Sequence, residues 1–274
     1  MKIFLVFICV ILILLILIIW LIKPNKKRDI SAFYGKMYAH RGLHDDKVPE
    51  NSMTAFRLAV ENKYGVELDV QMTLDGKLVV FHDGSLERMT GEKGFLRNYT
   101  YEQLQQYPLK GTDERIPLFE DVLAVLNTTD LICELKSDNG NENYELCQKA
   151  YNLLRNYKGK YCIESFSPFL VKWFRIKHPE IIRGQLSSNL FSQPDMLFIL
   201  RFVMSNLLVN FISRPDFIAY RHKDTNMFGY KMCRFLYHPF VIGWTARGPL
   251  EQKSAWEKFD SIIFEKNELE NPVE

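Results

Sequence analysis

Three observations predict the fold class. Strand-like and helix-like runs alternate over about 240 residues, the pattern of a parallel β/α protein. No glycine-rich dinucleotide loop argues for an open sheet. From Ile3 to Ile22, twenty consecutive residues carry no charge and are nearly all Ile, Leu, Val and Phe. Together these point to an α/β protein, a distorted eight-stranded β/α (TIM-type) barrel preceded by one N-terminal transmembrane helix.

At 1.5 Å per residue the apolar run makes a helix about 30 Å long, enough to cross a hydrocarbon core. A signal peptide would have an apolar core of about 7–15 residues and a small-residue cleavage site. Trp20-Leu21-Ile22-Lys23-Pro24 offers no such site. The expected division is therefore residues 1–28 as an anchor with a basic flank and residues 29–274 as the barrel domain. Lys23, Lys26, Lys27 and Arg28 follow the span and only Lys2 precedes it. By the positive-inside rule this places the barrel in the cytoplasm. Cys133 and Cys162 sit in apolar strand-like runs, and none of the five cysteines has metal or redox spacing, which suits a reducing compartment. The first 28 residues carry +5 of a chain total of +2, so the remainder carries −3 and no nucleic acid is expected as a partner. The linker Lys23–Ser31 reaches at most about 30 Å when extended, enough for a barrel mouth to touch the lipid surface.

Along the barrel, strands are expected at Met37–His40, Val66–Val70, Lys77–His82, Leu131–Leu135, Tyr161–Phe166, Ile181–Leu186, Phe217–Tyr220 and Val241–Trp244, with Ile262–Phe264 as a further candidate. A helix opens after Pro49-Glu50-Asn51-Ser52, capped by Asn51 or Ser52. Others follow Pro117, span Tyr144–Leu154, and run from Ser167-Pro168 through Ile176. Thr73-Leu74-Asp75-Gly76 is too short for a crossover helix, so the strands on either side form a local hairpin. Met196–Ile212 is apolar but broken by Arg201, Ser205, Asn206 and Asn210. It reads either as a core-packed barrel helix or as an apolar helix near the mouth, touching bilayer or acyl chain.

Glu67-Leu68-Asp69 is the sharpest chemical feature. Residues i and i+2 of a strand share a face, so two carboxylates stand together and repel unless a cation lies between them. Oxygen ligands of this kind suit a hard divalent ion. His40-Arg41, His82-Asp83 and Glu134-Leu135-Lys136 also fall at strand ends, where β/α barrels place catalytic groups. Metal, cations and two imidazoles suit attack on a phosphodiester.

The ordered set His40-Arg41-Gly42, Pro49-Glu50-Asn51-Ser52, Glu67-x-Asp69-Val70, Thr73-x-Asp75-Gly76, His82-Asp83, Ile116-Pro117, Glu134-Leu135-Lys136, Ser165-Phe166 and Trp244-Thr245 resembles the glycerophosphodiester phosphodiesterase family. The resemblance implies hydrolysis of glycerophosphodiesters to glycerol 3-phosphate and an alcohol with a divalent metal, Mg²⁺ or Ca²⁺. It assigns Glu67, Asp69 and Glu134 as metal ligands, His40 as general base and His82 as general acid. Arg41 and Lys136 would bind the phosphate, with Glu50 and Asn51 in support. It also implies a small inserted segment, about residues 84–116, over the barrel mouth. Arg247 stands where the family more often has Asn, and Phe264-Glu265-Lys266 replaces its usual Thr-Asp-x-Pro ending. A glycerophosphodiester or a lysophospholipid is the expected small-molecule substrate, and the membrane is met through residues 3–22. The competing readings are a lysophospholipase D, a phosphoinositide phospholipase with the same barrel and paired histidines, and a catalytically inactive membrane-bound scaffold. The last should have lost a ligand or a histidine, and every matched position is filled.

Overall fold

Strand formation follows the apolar runs. The computed structural model describes residues 2–137, 143–194 and 196–265. In chain order its elements are α1 (Lys2–Ile22), β1 (Met37–His40), α2 (Met53–Glu61), β2 (Gly65–Met72), β3 (Leu78–Val80), α3 (Glu87–Thr90), α4 (Tyr101–Leu104), α5 (Phe119–Leu126) and β4 (Leu131–Leu135). They continue with α6 (Tyr144–Leu154), β5 (Tyr161–Ser165), α7 (Pro168–Lys177), β6 (Arg183–Ser187), α8 (Phe198–Ser205), α9 (Asn210–Ser213) and β7 (Phe217–Arg221). The last are α10 (Phe228–Tyr237), β8 (Phe240–Arg247), α11 (Gly248–Trp256) and β9 (Ser261–Glu265).

Eight parallel strands run in the order β1-β9-β8-β7-β6-β5-β4-β2, and pairing of β1 with β2 closes the barrel. The ninth, β3, pairs antiparallel with β2, Val70 opposite Val80, as the short turn at Thr73 requires. On β2, Val66, Leu68 and Val70 point outward into the core between sheet and helices, beside Phe56, Ala59, Leu131 and Cys133. Their neighbours Glu67 and Asp69 consequently point into the barrel. Tyr38, Ile132, Cys162, Phe217 and Ile263 fill the lower interior, and Phe33 closes it at the base. Helix starts are set by side-chain caps: Ser52 Oγ accepts from the Ala55 amide, and Ser167 Oγ from those of Phe169 and Leu170. Residues 84–116 build a small core of their own, with Leu86, Met89, Leu96, Leu104 and Ile116 packed on Phe81.

Two expectations are corrected here. The stretch 196–212 is not one core-packed helix. It splits into α8 and α9, and the leading turn of α8 faces solvent, with Leu197 69% and Phe198 66% exposed. Ser187 Oγ donates to the Met204 carbonyl and the Leu190 amide to Ser205 Oγ, which ties the end of α8 to the mouth end of β6. Helix α8 is thus an excursion on the rim. Nor is the linker after α1 a free tether. The Asn25 amide donates to the Pro215 carbonyl, Asn25 Nδ2 to Asp216 at 2.6 Å, and Arg28 to the Pro179 carbonyl.

Candidate active site

The carboxyl ends of β1, β2 and β4 converge on a buried acidic cluster. Glu67, Asp69 and Glu134 each offer an oxygen within 4.8 Å of the others. Strand register makes this unavoidable, since Asp69 lies opposite Glu134 and His40 opposite Glu67. Lys136 Nζ sits 2.7 Å from Asp69 and 2.8 Å from Glu134. Arg41 Nη1 donates to Glu50 at 2.6 Å, and its Nε lies 3.4 Å from Asp69. Asn51 Nδ2 donates to Asp69 at 2.8 Å.

The charges are unevenly shared. Burial and the neighbouring Asp69, Glu134 and Glu164 push Glu67 well above the usual carboxylate range. Burial opposes ionisation of Asp69 too, but Lys136, His82 and Arg41 hold it well below that range. Glu134 is raised by burial, with Lys136 acting against it. Three carboxylates face two cations, Lys136 on Asp69 and Glu134 and the Arg41 guanidinium on Asp69, and Arg41 is shared with Glu50. The Asn51 side-chain Oδ1 beside them is buried without a partner. An all-oxygen donor set with surplus negative charge fits a hard divalent cation.

Each histidine is held from behind by a carboxylate. His40 Nδ1 lies 2.6 Å from Glu265, and its Nε2 faces Glu67 at 3.9 Å. Burial brings the His40 imidazole down to about 4 against the pull of Glu265, so it is neutral near pH 7. His82 Nδ1 lies 2.6 Å from Asp83, leaving its Nε2 free to exchange a proton. His82 follows the carboxyl end of β3, which runs antiparallel to the barrel strands rather than alongside them. The antiparallel return of β3 brings it back to the level of Asp69, whose carbonyl accepts from the Phe81 amide at 2.9 Å. Beside it, Gln71, Met72, Gly84, Phe95, Arg97 and Lys136 line a cleft of about 150 Å³.

The loop after β1 is held in an uncommon conformation. Arg41 and Asn51 have φ of 57° and 55°, where non-glycine residues are rare, and such residues cluster at functional sites. Gly42, at φ 79°, could not carry a Cβ, which would lie 2.9 Å from Ala55.

A profile of the glycerophosphoryl diester phosphodiesterase family matches residues 40–222, from the first histidine through β7. The chain belongs to that family. It is 33% identical over 173 residues to a glycerophosphodiester phosphodiesterase of Bacillus altitudinis, covering 59% of this chain and 70% of that protein. It is 32% identical over 145 residues to a lysophospholipase D of Rattus norvegicus, covering 48% of this chain and 45% of that one. Among solved structures, an Oleispira antarctica phosphodiesterase in complex with the product sn-glycerol-3-phosphate superposes with a TM-score of 0.70 at 21% identity, covering 85% of this chain and 94% of that one. That likeness shows a common barrel.

Within this phosphodiesterase, His40, Arg41, Glu50, Asn51, Glu67, Asp69, His82, Glu134 and Lys136 gather at one end of the barrel. Four partners had no role assigned from the sequence. Glu265 and Asp83 back the histidines. Arg88 of the inserted segment clamps Glu50 through two bonds of 2.6 and 2.8 Å and Asp83 at 2.6 Å. Glu164 lies opposite Glu134 in register, buried, with one oxygen unpartnered, and burial and Glu134 raise it well above its usual range. Its signal was an acid inside the apolar run Tyr-Cys-Ile-Glu-Ser. Lys266 of the departing C-terminal motif lies outside the described residues. Its neighbour Glu265 is also gripped by Arg247, at 2.5 Å. The two departures from the family pattern thus complement each other.

Proposed function

We propose that the site cleaves glycerophosphodiesters to glycerol 3-phosphate and an alcohol, with Glu67, Asp69 and Glu134 holding Mg²⁺ or Ca²⁺. The observation that carries this reading is the pair of imidazoles, each with Nδ1 on a carboxylate, flanking one buried acidic cluster. The bound cation would supply charge stabilisation for the phosphoryl oxygens. His40 takes the proton of the nucleophile, water or the substrate's own hydroxyl, at Nε2, while Glu265 fixes the ring. His82 gives its Nε2 proton to the departing alcohol, which leaves toward the cleft beside it. Arg41 and Lys136 turn from the acids they now neutralise to the phosphate. Glu50 and Asn51 hold Arg41 and Asp69 in place.

The full-length protein in detergent, assayed on diesters of choline, ethanolamine and inositol with and without chelator, tests this. Activity lost to chelator and restored by Mg²⁺ or Ca²⁺ is expected, and full activity in excess chelator would sink the metal role. Glu67→Gln should lose activity with little change in melting temperature.

A second reading, lysophospholipids as substrates, draws on the exposed apolar turn of α8 on the rim, which suits an acyl chain, and on the similarity to the rat lysophospholipase D. For the first helix we propose a single membrane crossing with the barrel in the cytoplasm, supported by its twenty uncharged residues, Ile3–Ile22, and the four cations after it.

A further inference from the structure

We propose that the barrel sits base-down on an anionic membrane, with its mouth directed away from the bilayer that holds its anchor. This inference rests on α1 being a membrane span and goes beyond it by fixing which face of the enzyme meets lipid.

The first support is how α1 joins the barrel. Its last turns wedge between α9 and α10, and Ile22 is buried in the main core beside Leu207 and Cys233. The Ile22 carbonyl accepts from Asn210 Nδ2 at 2.9 Å and from the Cys233 thiol at 3.5 Å. One turn earlier, the Ile19 carbonyl accepts from the Tyr237 hydroxyl at 2.8 Å. Helix α10 descends from the mouth end of β7 to the base end of β8, as barrel helices do. Cys233 is therefore the higher contact and Tyr237 the lower. Going backward from Ile22 to Ile19, α1 moves toward the base and then leaves the barrel, since residues 2–17 are exposed. Those sixteen residues extend about 24 Å beyond it, close to the thickness of a hydrocarbon core.

The second support is charge. The linker and the loops that enter each strand from below form the base, over residues 23–36, 61–64, 127–130, 155–160, 177–180, 214–216, 237–239 and 257–260. They hold twelve Lys and Arg against seven Asp and Glu, whereas the whole chain balances at +2. Lys26, Lys27, Arg28, Lys158, Lys160 and Lys177 are all exposed there. Basic residues beside a span are attracted to anionic headgroups. Trp20 lies at the junction, its ring under the Arg214 guanidinium at 4.8 Å and 5.6 Å from Phe211. A half-exposed Trp beside cations is typical of the headgroup level. The pinned linker, with Asn25 on Pro215 and Arg28 on Pro179, removes the slack that would let the barrel tip over.

The consequence concerns substrate supply. Asp69 lies four residues beyond Gly65 at the base end of β2, about 13 Å along the strand, so the acidic cluster is raised above the headgroups by that depth of barrel. Diesters then reach the site from water. A lysophospholipid resident in the same bilayer would have to leave it first.

The test uses the full chain, with Cys9→Ser, reconstituted into vesicles of phosphatidylcholine and phosphatidylglycerol bearing an acceptor dye on some headgroups. A donor dye is placed at Lys158→Cys on the base or at Lys93→Cys on the inserted segment, neither of which touches the catalytic groups. Energy transfer should be several-fold stronger from position 158. Turnover of a soluble diester should match that in detergent. Dilution of lysophospholipid into the same bilayer should slow its cleavage relative to monomers in solution. Stronger transfer from position 93, or faster cleavage of bilayer-resident lysophospholipid, overturns the base-down seat and leaves the diesterase reading untouched. Failure of the chain to float with vesicles overturns the span and the seat together. An inactive but correctly seated protein would instead count against the diesterase reading alone.

Discussion

Glu265 offers the most informative single substitution, because nothing in its own motif marks it as part of the machinery. If it orients His40 and stabilises the imidazolium formed on proton uptake, Glu265→Ala removes one short hydrogen bond to a charged ring. Hydrogen bonds to charged groups contribute about 1.5–3 kcal/mol. Glu265 is mostly buried, so solvent screens this contact little. At 1.36 kcal/mol per decade the expected loss in kcat/KM is about 10–150-fold. Glu265→Gln should be at least as severe. Its amide can donate to Nδ1, which locks the proton on Nε2 and removes the basic atom from the site. Breaking the contact between Glu265 and the half-exposed Arg247 should add little. Steady-state release of glycerol 3-phosphate from a choline diester measures the effect, with a nitrophenyl diester as the comparison. A better leaving group should not rescue Glu265→Gln, since proton removal from the nucleophile is still impaired. A double variant with His40→Ala should be little worse than His40→Ala alone. Turnover by Glu265→Gln within about twofold of wild type on both substrates would refute the role and, with it, His40 as base.

Three further outcomes follow from the geometry. His82→Ala should slow cleavage of the choline diester by about 10²–10⁴-fold and, unlike the Glu265 variants, recover on the nitrophenyl diester. Glu50, held down to about 2 by Arg88 and Arg41 against its burial, has a folded value below its unfolded one. Its contribution is therefore complete above about pH 4.5 and fades as pH falls toward 2, so the melting-temperature gap between wild type and Glu50→Gln should close over that window. Leu197→Glu on the exposed rim should change stability by no more than about 0.5 kcal/mol, and a cooperative loss of fold would restore the core-helix reading of that stretch.

Period and spacing carried most of the barrel. Alternation at Val66–Val70 sorted outward apolar groups from inward acids, and the short turn at Thr73 required the β3 hairpin. The same local logic located the cluster, since Glu67 and Asp69 sit two apart and Glu134 and Lys136 share a strand end. What stayed hidden depends on register between distant strands. Glu164 matters because β5 sets it against Glu134, and Glu265 because β9 lies next to β1. Arg88 acts from an insertion whose path no periodicity describes. Arg247 and Glu265 were visible only as separate deviations. Their pairing on His40 needs three strands, β1, β8 and β9, to be placed side by side.

The first helix shows the same limit in another form. Hydropathy treats Ile3–Ile22 as uniform, and no local rule separates its last turn from the rest. Yet Ile22 is a core residue of the barrel, whereas Ile3 is exposed. The distinction arises because the connection between β6 and β7 spends α8 on the rim and leaves only the short α9 on the flank. Between α9 and α10 that leaves a gap, which the end of α1 fills. The end of α1 in effect takes the place of a barrel helix. Removing residues 1–22 would then not merely free a soluble domain. It would uncover Leu207, Cys233 and the partners of Ile22, so the shortened chain should melt lower than the full chain in the same detergent, by the cost of one lost core side chain, about 2–5 kcal/mol. Equal melting temperatures would show that the wedge contributes nothing to the barrel.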